Sequence, residues 1–192
     1  MRFSVREFVR ICAETFPKPC PVYEFGAFQV AHQEGRGNLR PFFPDRKFVG
    51  ADIREGPGVD AILDLHSIDL PSESVGAALV LETLEHVEHP WTAVREIHRI
   101  LKPDGIFILS SCMNYPIHSY PHDYWRFTPE GFEILLRHFR HSFVGYAGES
   151  NFPHTIVGVA FKGAYDTDAL RLLQEKIERW KIDWNIPEGA TK

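Results

Sequence analysis

The chain has 192 residues, 44% of them hydrophobic and 24% charged, with a formal net charge of -5. That length suits one domain, residues 1–192, burying roughly 70% of the surface its unfolded form exposes, and the composition excludes a disordered or fibrous protein. Lys and Arg are scattered rather than gathered into a stripe, so there is no nucleic-acid signal.

The N-terminal "MRFSVREFVRICAETF" carries Arg2, Arg6, Glu7 and Arg10, which interrupt any apolar run. It reads as neither a signal peptide nor a membrane span, and a cytoplasmic location without membrane partners is expected. Cys12, Cys20 and Cys112 are odd in number and share no CxxC spacing, which argues against a disulfide framework or a structural zinc site.

Residues 4–16 predict a first helix, within an N-terminal helical segment of about 1–18. Ser4 and Glu7 have capping-box spacing, and Phe8, Ile11, Cys12 and Phe16 share a face. A strand at 22–25 runs into Gly26. The irregular "QEGRGNLRPFFPD" follows, with room for a short helix at "NLRPFF", and then "KFVGADI" as a second strand closed by Asp52. "GVDAILDLHSIDLP" predicts a short third strand leading to Asp64. "GAALVLETLEHV" predicts a fourth, apolar enough to be covered on both faces, whose end carries Glu82, Glu85 and His86.

The period turns helical from Pro90 to about Lys102, with Trp91, Val94, Ile97 and Leu101 on one side, and "KPDG" reads as its stop. "IFILSS" is a fifth strand. After the loop "CMNYPIHSYPHDYWRF", a helix begins with Thr128 as N-cap and Pro129 at its first position, its apolar face formed by Phe132, Leu135, Leu136 and Phe139. "SFVGYAG" and "HTIVGVAFKG" predict two adjacent strands that pair antiparallel and end a core sheet of about 20–162. A helix over about 167–184 closes the chain, with Leu170, Leu173, Ile177 and Trp180 on its stripe. That stripe packs on the domain itself or on a second copy; the sequence leaves a homo-oligomer open. The pattern is a doubly wound α/β sheet with an antiparallel edge, and ligands of such sheets lie beyond the C-terminal strand ends.

Acidic residues recur at those ends: Glu24 beside Gly26, then Asp52, Asp64 and Glu82. An acid closing the second strand can accept both ribose hydroxyls of an adenosine. Asp64 or its neighbouring backbone can meet an adenine edge, although Asp also suits a plain turn. A dinucleotide loop would place glycines where Phe28 and Ala31 stand, which disfavours nicotinamide chemistry.

"VYEFGAF", "FVGADI", "ILDLHSIDLP", "ALVLETLEHVEHPWTAVREIHRILKPDGIFILSS" and "PHDYWRFTPEGFEILL" together resemble the class I S-adenosylmethionine-dependent methyltransferases of the methyltransferase type 11 kind, over about residues 20–140. The resemblance implies a Rossmann-like, mostly parallel seven-stranded sheet with S-adenosylmethionine across the ends of its first four strands. It also implies a cofactor-binding set of Glu24, Gly26, Asp52, Ile53, Asp64, Leu65 and Glu82. Phe28 departs from the usual second glycine, and Pro41 and Pro44 shorten the first crossover. S-adenosylmethionine carries a sulfonium and an ammonium but no phosphate, so nearby carboxylates suit it better than a second glycine would.

The loop after the fifth strand concentrates His118, Tyr120, His122, Asp123, Tyr124 and Arg126 where a small-molecule methyl acceptor would enter. One reading makes His118 or His122 a general base oriented by Asp123, with Tyr120, Tyr124 and Arg126 gripping substrate. The other is a structural clasp, in which Asp123 pairs with Arg126 and the aromatic rings cover the sheet. Prolines between His118 and His122 remove helical ligand spacing, so no metal is expected there. His86 reads as ordering the loop beside Glu82, and His89 as a cap before Pro90. Three functions remain open: a methyltransferase, a catalytically degenerate methyltransferase fold acting as a binding or interaction module, and, disfavoured by Phe28 and Ala31, nucleotide-sugar or nicotinamide chemistry on a related sheet.

Overall fold

The computed structural model describes residues 1–16, 20–30, 34–118 and 121–186. Seven strands form one sheet: β1 (Val22–Phe25), β2 (Phe48–Asp52), β3 (Ala61–Ile62), β4 (Val75–Leu81), β5 (Leu101–Cys112), β6 (His141–Glu149) and β7 (Phe152–Phe161). Their spatial order is β3-β2-β1-β4-β5-β7-β6. Pairings from β3 through β5 are parallel, while β7 runs antiparallel to both β5 and β6. The chain leaves β1 in one direction and returns to β4 on its other side, so the strand order reverses between their C-terminal ends. A crevice opens at such a reversal.

Among the described residues five helices accompany the sheet: α1 (Phe3–Thr15), α2 (Glu34–Gly37), α3 (Pro90–Ile100), α4 (Pro129–Leu136) and α5 (Thr167–Asp183). β4 shows why the central strands read as continuous apolar runs. Ala77, Leu79 and Leu81 enter the core under α1 and α5, while Val75, Ala78 and Val80 enter the core under α3 and α4. With both faces covered, all seven residues are buried. The stripe of α5 packs on the domain's own α1: Phe8 and Trp180 have ring centroids 6.0 Å apart, and the Trp180 indole donates to the Ser4 carbonyl at 2.8 Å.

Several elements differ from their sequence expectations. Arg2, not Ser4, occupies the N-cap of α1; Ser4 is buried inside the helix, and Glu7 pairs with Arg10. The first crossover holds the single turn α2 and a 3-10 turn at Arg40–Phe42, where Pro41 sits at a helix start that has no N–H to lose. "KPDG" does not stop α3; β5 already begins at Leu101, and its pairing with β4 slips between Val75 and Ala77. Trp91 lies outside the buried face of α3, which is built from Pro90, Ala93, Val94, Ile97 and Ile100. The α4 start is as expected: the Thr128 hydroxyl accepts from the Gly131 N–H at 3.0 Å, with Pro129 next in line. Among the described residues the three cysteines are free thiols, and no helix is long and apolar enough to cross a membrane.

Candidate functional site

A cavity of about 350 Å³ opens at the reversal point. Glu24, Gly26, Asp52, Ile53, Asp64, Leu65 and Glu82 all line it, so the sheet brings the whole expected cofactor set to one space. Each arrives there because parallel strands end at one edge.

Gly26 leaves β1 with a φ of +81°, the left-handed region that favours glycine. A Cβ at this position would meet the Thr83 hydroxyl oxygen at 2.1 Å. The Gly26 backbone therefore lies against the Thr83 side chain, which leaves no room there for a larger residue.

Glu24 is 6% exposed. Burial pushes its carboxyl up to about 8; the charges of Arg40, the N-terminal ammonium and Arg6 oppose that shift, and among the described residues no hydrogen-bond donor contributes. A buried carboxylate without a paired cation is costly. A positively charged ligand in the cavity would remove much of that cost.

Asp52 is better satisfied. Its Oδ2 accepts from the Phe28 N–H at 3.3 Å, and its Oδ1 from the Arg54 N–H at 3.0 Å and the Arg54 Nε at 3.3 Å. The Arg54 guanidinium lies 4.4 Å from the centre of the Phe28 ring. A Cβ on Gly56 would come within 2.3 Å of that ring, so Phe28 is seated on the loop after β2. Phe28 is part of the cavity wall, and the cavity persists around it.

Asp64 is more exposed and accepts from the His66 N–H and the His66 ring, each at 2.8 Å. Partial burial acts against the charge, but these His66 contacts hold the carboxyl below its usual range. Ile53 is exposed at the rim, and Leu65 is buried beneath it. Glu82 takes a left-handed φ of +48°. Its carboxylate meets the Arg2 backbone N–H at 2.9 Å and the Arg2 Nε. Burial works against ionisation, yet the Arg2 charge and hydrogen bonds keep Glu82 below the usual carboxylate range. Glu82 is thus a cavity wall whose charge is already spent on α1.

The loop after β5 divides. His122 and Tyr124 line the cavity together with His86; His118, Asp123 and Arg126 do not. Tyr120 lies outside the described residues. The Asp123 side chain is 3% exposed, and its two oxygens pair with the Arg126 guanidinium at 2.5 and 2.7 Å. The remaining Arg126 bonds go to the carbonyls of Tyr115, Pro116 and Trp125. These two residues form a clasp, and the Arg126 hydrogen bonds holding Asp123 keep its carboxyl far below the usual range.

Sequence reasoning missed Thr83 and Arg54, and placed Glu85 at the end of β4 without giving it a role. Thr83 follows Glu82 directly and Arg54 lies two residues after Asp52, which was the available signal. Glu85 gave a weaker one: it is 1% exposed, accepts from the Ser111 hydroxyl at 2.7 Å, and is pushed up to about 7 by burial. Its backbone carbonyl receives the Tyr124 and Trp125 N–H groups at 2.8 and 3.2 Å, tying the loop after β5 to the turn after β4. Near it, the His86 and His118 rings meet edge to face at 4.7 Å. Burial holds the His86 ring below its ordinary value.

The family model of a methyltransferase domain matches residues 45–109, which run from just ahead of β2 into β5. No curated protein matches the chain. Among solved structures, the Burkholderia thailandensis 1,6-didemethyltoxoflavin-N1-methyltransferase, bound to 1,6-didemethyltoxoflavin and S-adenosylhomocysteine, is 21% identical, with a TM-score of 0.61 over 84% of this chain and 79% of that one. The [4+2]-cyclase SpnF is 15% identical, with a TM-score of 0.60 over 84% of this chain and 82% of that one. The CMeT domain of a citrinin polyketide synthase is 14% identical, with a TM-score of 0.59 over 77% of this chain; the present chain spans only 47% of it. The chain resembles the class I S-adenosylmethionine-dependent methyltransferases and has their Rossmann-like fold: a seven-stranded, mostly parallel sheet with an antiparallel edge.

Proposed function

We propose that this chain, acting as one catalytic domain, binds S-adenosylmethionine in the cavity between β1, β2 and β4 and transfers its methyl group to a small-molecule acceptor. The carrying observation is Glu24, a buried carboxylate on the cavity wall raised to about 8 and supplied with no hydrogen-bond donor among the described residues. That environment fits the ammonium of S-adenosylmethionine and is unsuited to a phosphate. In this reading Asp52 takes the ribose hydroxyls, Ile53 and Leu65 enclose the adenine, and Asp64 lies at its edge. Gly26 gives the methionine portion its approach.

The bound cofactor supplies an electrophilic methyl on a good leaving group. What the protein must add is orientation, which alone can lower a barrier by about 7–11 kcal/mol. The acceptor enters beside His122 and Tyr124, while the Asp123–Arg126 clasp keeps the loop in place. An acceptor that needs deprotonation, such as a sugar hydroxyl, would give its proton to His122; His118 and Asp123 act behind it on the loop, and Arg126 serves the clasp rather than the substrate. Titration calorimetry with S-adenosylmethionine and S-adenosylhomocysteine tests the donor site. Binding is expected, and Asp52→Ala should weaken it by about tenfold or more, the equivalent of one hydrogen bond to a charged group. No binding of either ligand to folded protein overturns the proposal.

A second reading is a degenerate fold used as a binding module. It is favoured by the engagement of Glu82 with Arg2 and of Asp52 with Arg54. Labelled methyl transfer into an extract, abolished by Asp52→Ala, would exclude it.

A further inference from the structure

Three ligand-type side chains outside the expected cofactor-binding set converge where the turn after β4 meets the loop after β5. One ligand atom from each of Glu85, His86 and His118 lies within 4.8 Å of the other two. The partners of the two rings decide their tautomers. His86 Nδ1 lies 2.5 Å from the His122 carbonyl oxygen, and a carbonyl can only accept, so Nδ1 carries the hydrogen. His118 Nδ1 faces the Pro116 carbonyl at 3.1 Å and the Asp123 carboxylate at 3.2 Å; these also only accept. Both neutral rings therefore keep their lone pair on Nε2. Metal-bound histidines are oriented in this manner, with the far N–H on a backbone carbonyl or a carboxylate.

We propose that Glu85, His86 and His118 bind a first-row divalent cation through Nε2 of both histidines and one Glu85 oxygen. Ser111 already fixes Oε2 at 2.7 Å, whereas Oε1 has the weak Cys112 thiol at 3.8 Å, so Oε1 is the better ligand. Two imidazoles and a carboxylate suit zinc with an open fourth position, or iron(II). Zinc held at about 2.0–2.2 Å by N and O ligands sets them roughly 3.3 Å apart. The present cluster, whose ligand atoms lie within 4.8 Å of one another, would therefore close by up to about 1.5 Å, a change shared by rotations of the Glu85, His86 and His118 side chains. The ion would staple the loop after β5 to the turn that bears Glu82 and Thr83. Because His86 also lines the cavity, the ion would sit at its rim.

The inference depends on these three residues and not on methyl transfer. Protein stripped with a chelator would be titrated with zinc chloride by calorimetry and with cobalt(II) chloride by visible absorption. One equivalent should bind, and Glu85→Gln and His118→Ala should each weaken binding at least ~10-fold. His89→Ala, which alters the separate His66–His89 ring pair, should leave it unchanged. Glu85→Gln retains an acceptor for Ser111, so it decides the matter if His118→Ala fails to fold. Absence of saturable zinc and cobalt binding, or binding that survives both variants, overturns the proposal. S-adenosylhomocysteine titrations on the same samples keep the two proposals apart: metal binding in protein that binds no S-adenosylhomocysteine leaves the cation site standing, and the reverse result leaves the donor site standing.

Discussion

The cavity's donor wall and its acceptor rim are held by different forces. The wall comes from strand ends and the turns that leave them: Gly26 against Thr83, Asp52 bonded to Phe28 and Arg54, Glu24 inside β1. The rim, between Cys112 and Thr128, has no regular structure in its described residues and is kept in place by side chains and long-range backbone bonds. Asp123 clasps Arg126, the Trp125 indole donates to the Val87 carbonyl at 3.0 Å, and Glu85 receives two loop N–H groups. The wall inherits its geometry from the sheet, so on the proposed function damaging it would cost fold and cofactor binding together. The rim can fail alone.

Gly26→Ala should be the most disruptive single change. It combines a left-handed φ with a Cβ that would meet the Thr83 side-chain oxygen at 2.1 Å, where the chain leaves β1 beside the end of β4. We expect a loss of about 3–4 kcal/mol, the sum of a left-handed penalty and core overpacking, together with loss of S-adenosylhomocysteine binding. Thermal melts and calorimetry check this; a stable variant that still binds would mean that the loop after β1 is not fixed by Thr83.

Asp123→Ala tests the rim. Removing one partner of a buried pair costs about 3–5 kcal/mol, but Arg126 is partly exposed, so about 2 kcal/mol is the better expectation. Methyl transfer should fall steeply while S-adenosylhomocysteine affinity stays within about threefold, a shift below 1 kcal/mol. Equal losses of both would dissolve the distinction between wall and rim.

Glu24 gives the comparison a pH axis. Its folded pKa of about 8 exceeds the ordinary 4.5, so between those values the folded state holds a proton that the unfolded state has released. Stability from this group is therefore present at low pH and declines as pH rises through that window. Glu24→Gln should flatten the decline, leaving the ligand-free variant more heat-stable than the parent at pH 9. The same variant should bind S-adenosylmethionine about tenfold or more weakly, having lost a charged acceptor. In the parent, affinity should climb as pH approaches about 8, because the cationic ligand selects the carboxylate. A pH-independent affinity would remove Glu24 from the site.

The donor wall was largely legible in the sequence because strand-end positions follow from periodicity and punctuation, and parallel strands bring those ends together. Asp52 could be placed from "KFVGADI" alone. What resisted reading were pairings between residues far apart in sequence. Arg2 reaching Glu82 across the domain, and Glu85 holding the acceptor loop by its carbonyl, leave no local pattern. The His86–His118 contact is of the same kind: sequence reasoning weighed His118 only against His122, four residues on. Phe28 was legible as a departure, but its rotamer was not; the free space over Gly56 decides where the ring goes.

Trp91 offers the smallest effect and isolates one error of periodicity. Its spacing to Val94 suggests a shared buried face, yet α3 begins with Pro90 at its first position, and Pro90 and Ala93 take the inner places. Trp91 is 49% exposed and lies against Trp125 with ring centroids 5.8 Å apart, on the outer side of the rim. Trp91→Ala should therefore cost under ~1 kcal/mol, as surface substitutions with one ring contact do. Ile97→Ala in the same helix, fully buried, should cost about 2–5 kcal/mol. Denaturant melts of the two variants set the rim against the core within a single helix. Similar losses would show that Trp91 belongs to the core after all, and that the first turn of α3 packs by its spacing rather than by its proline.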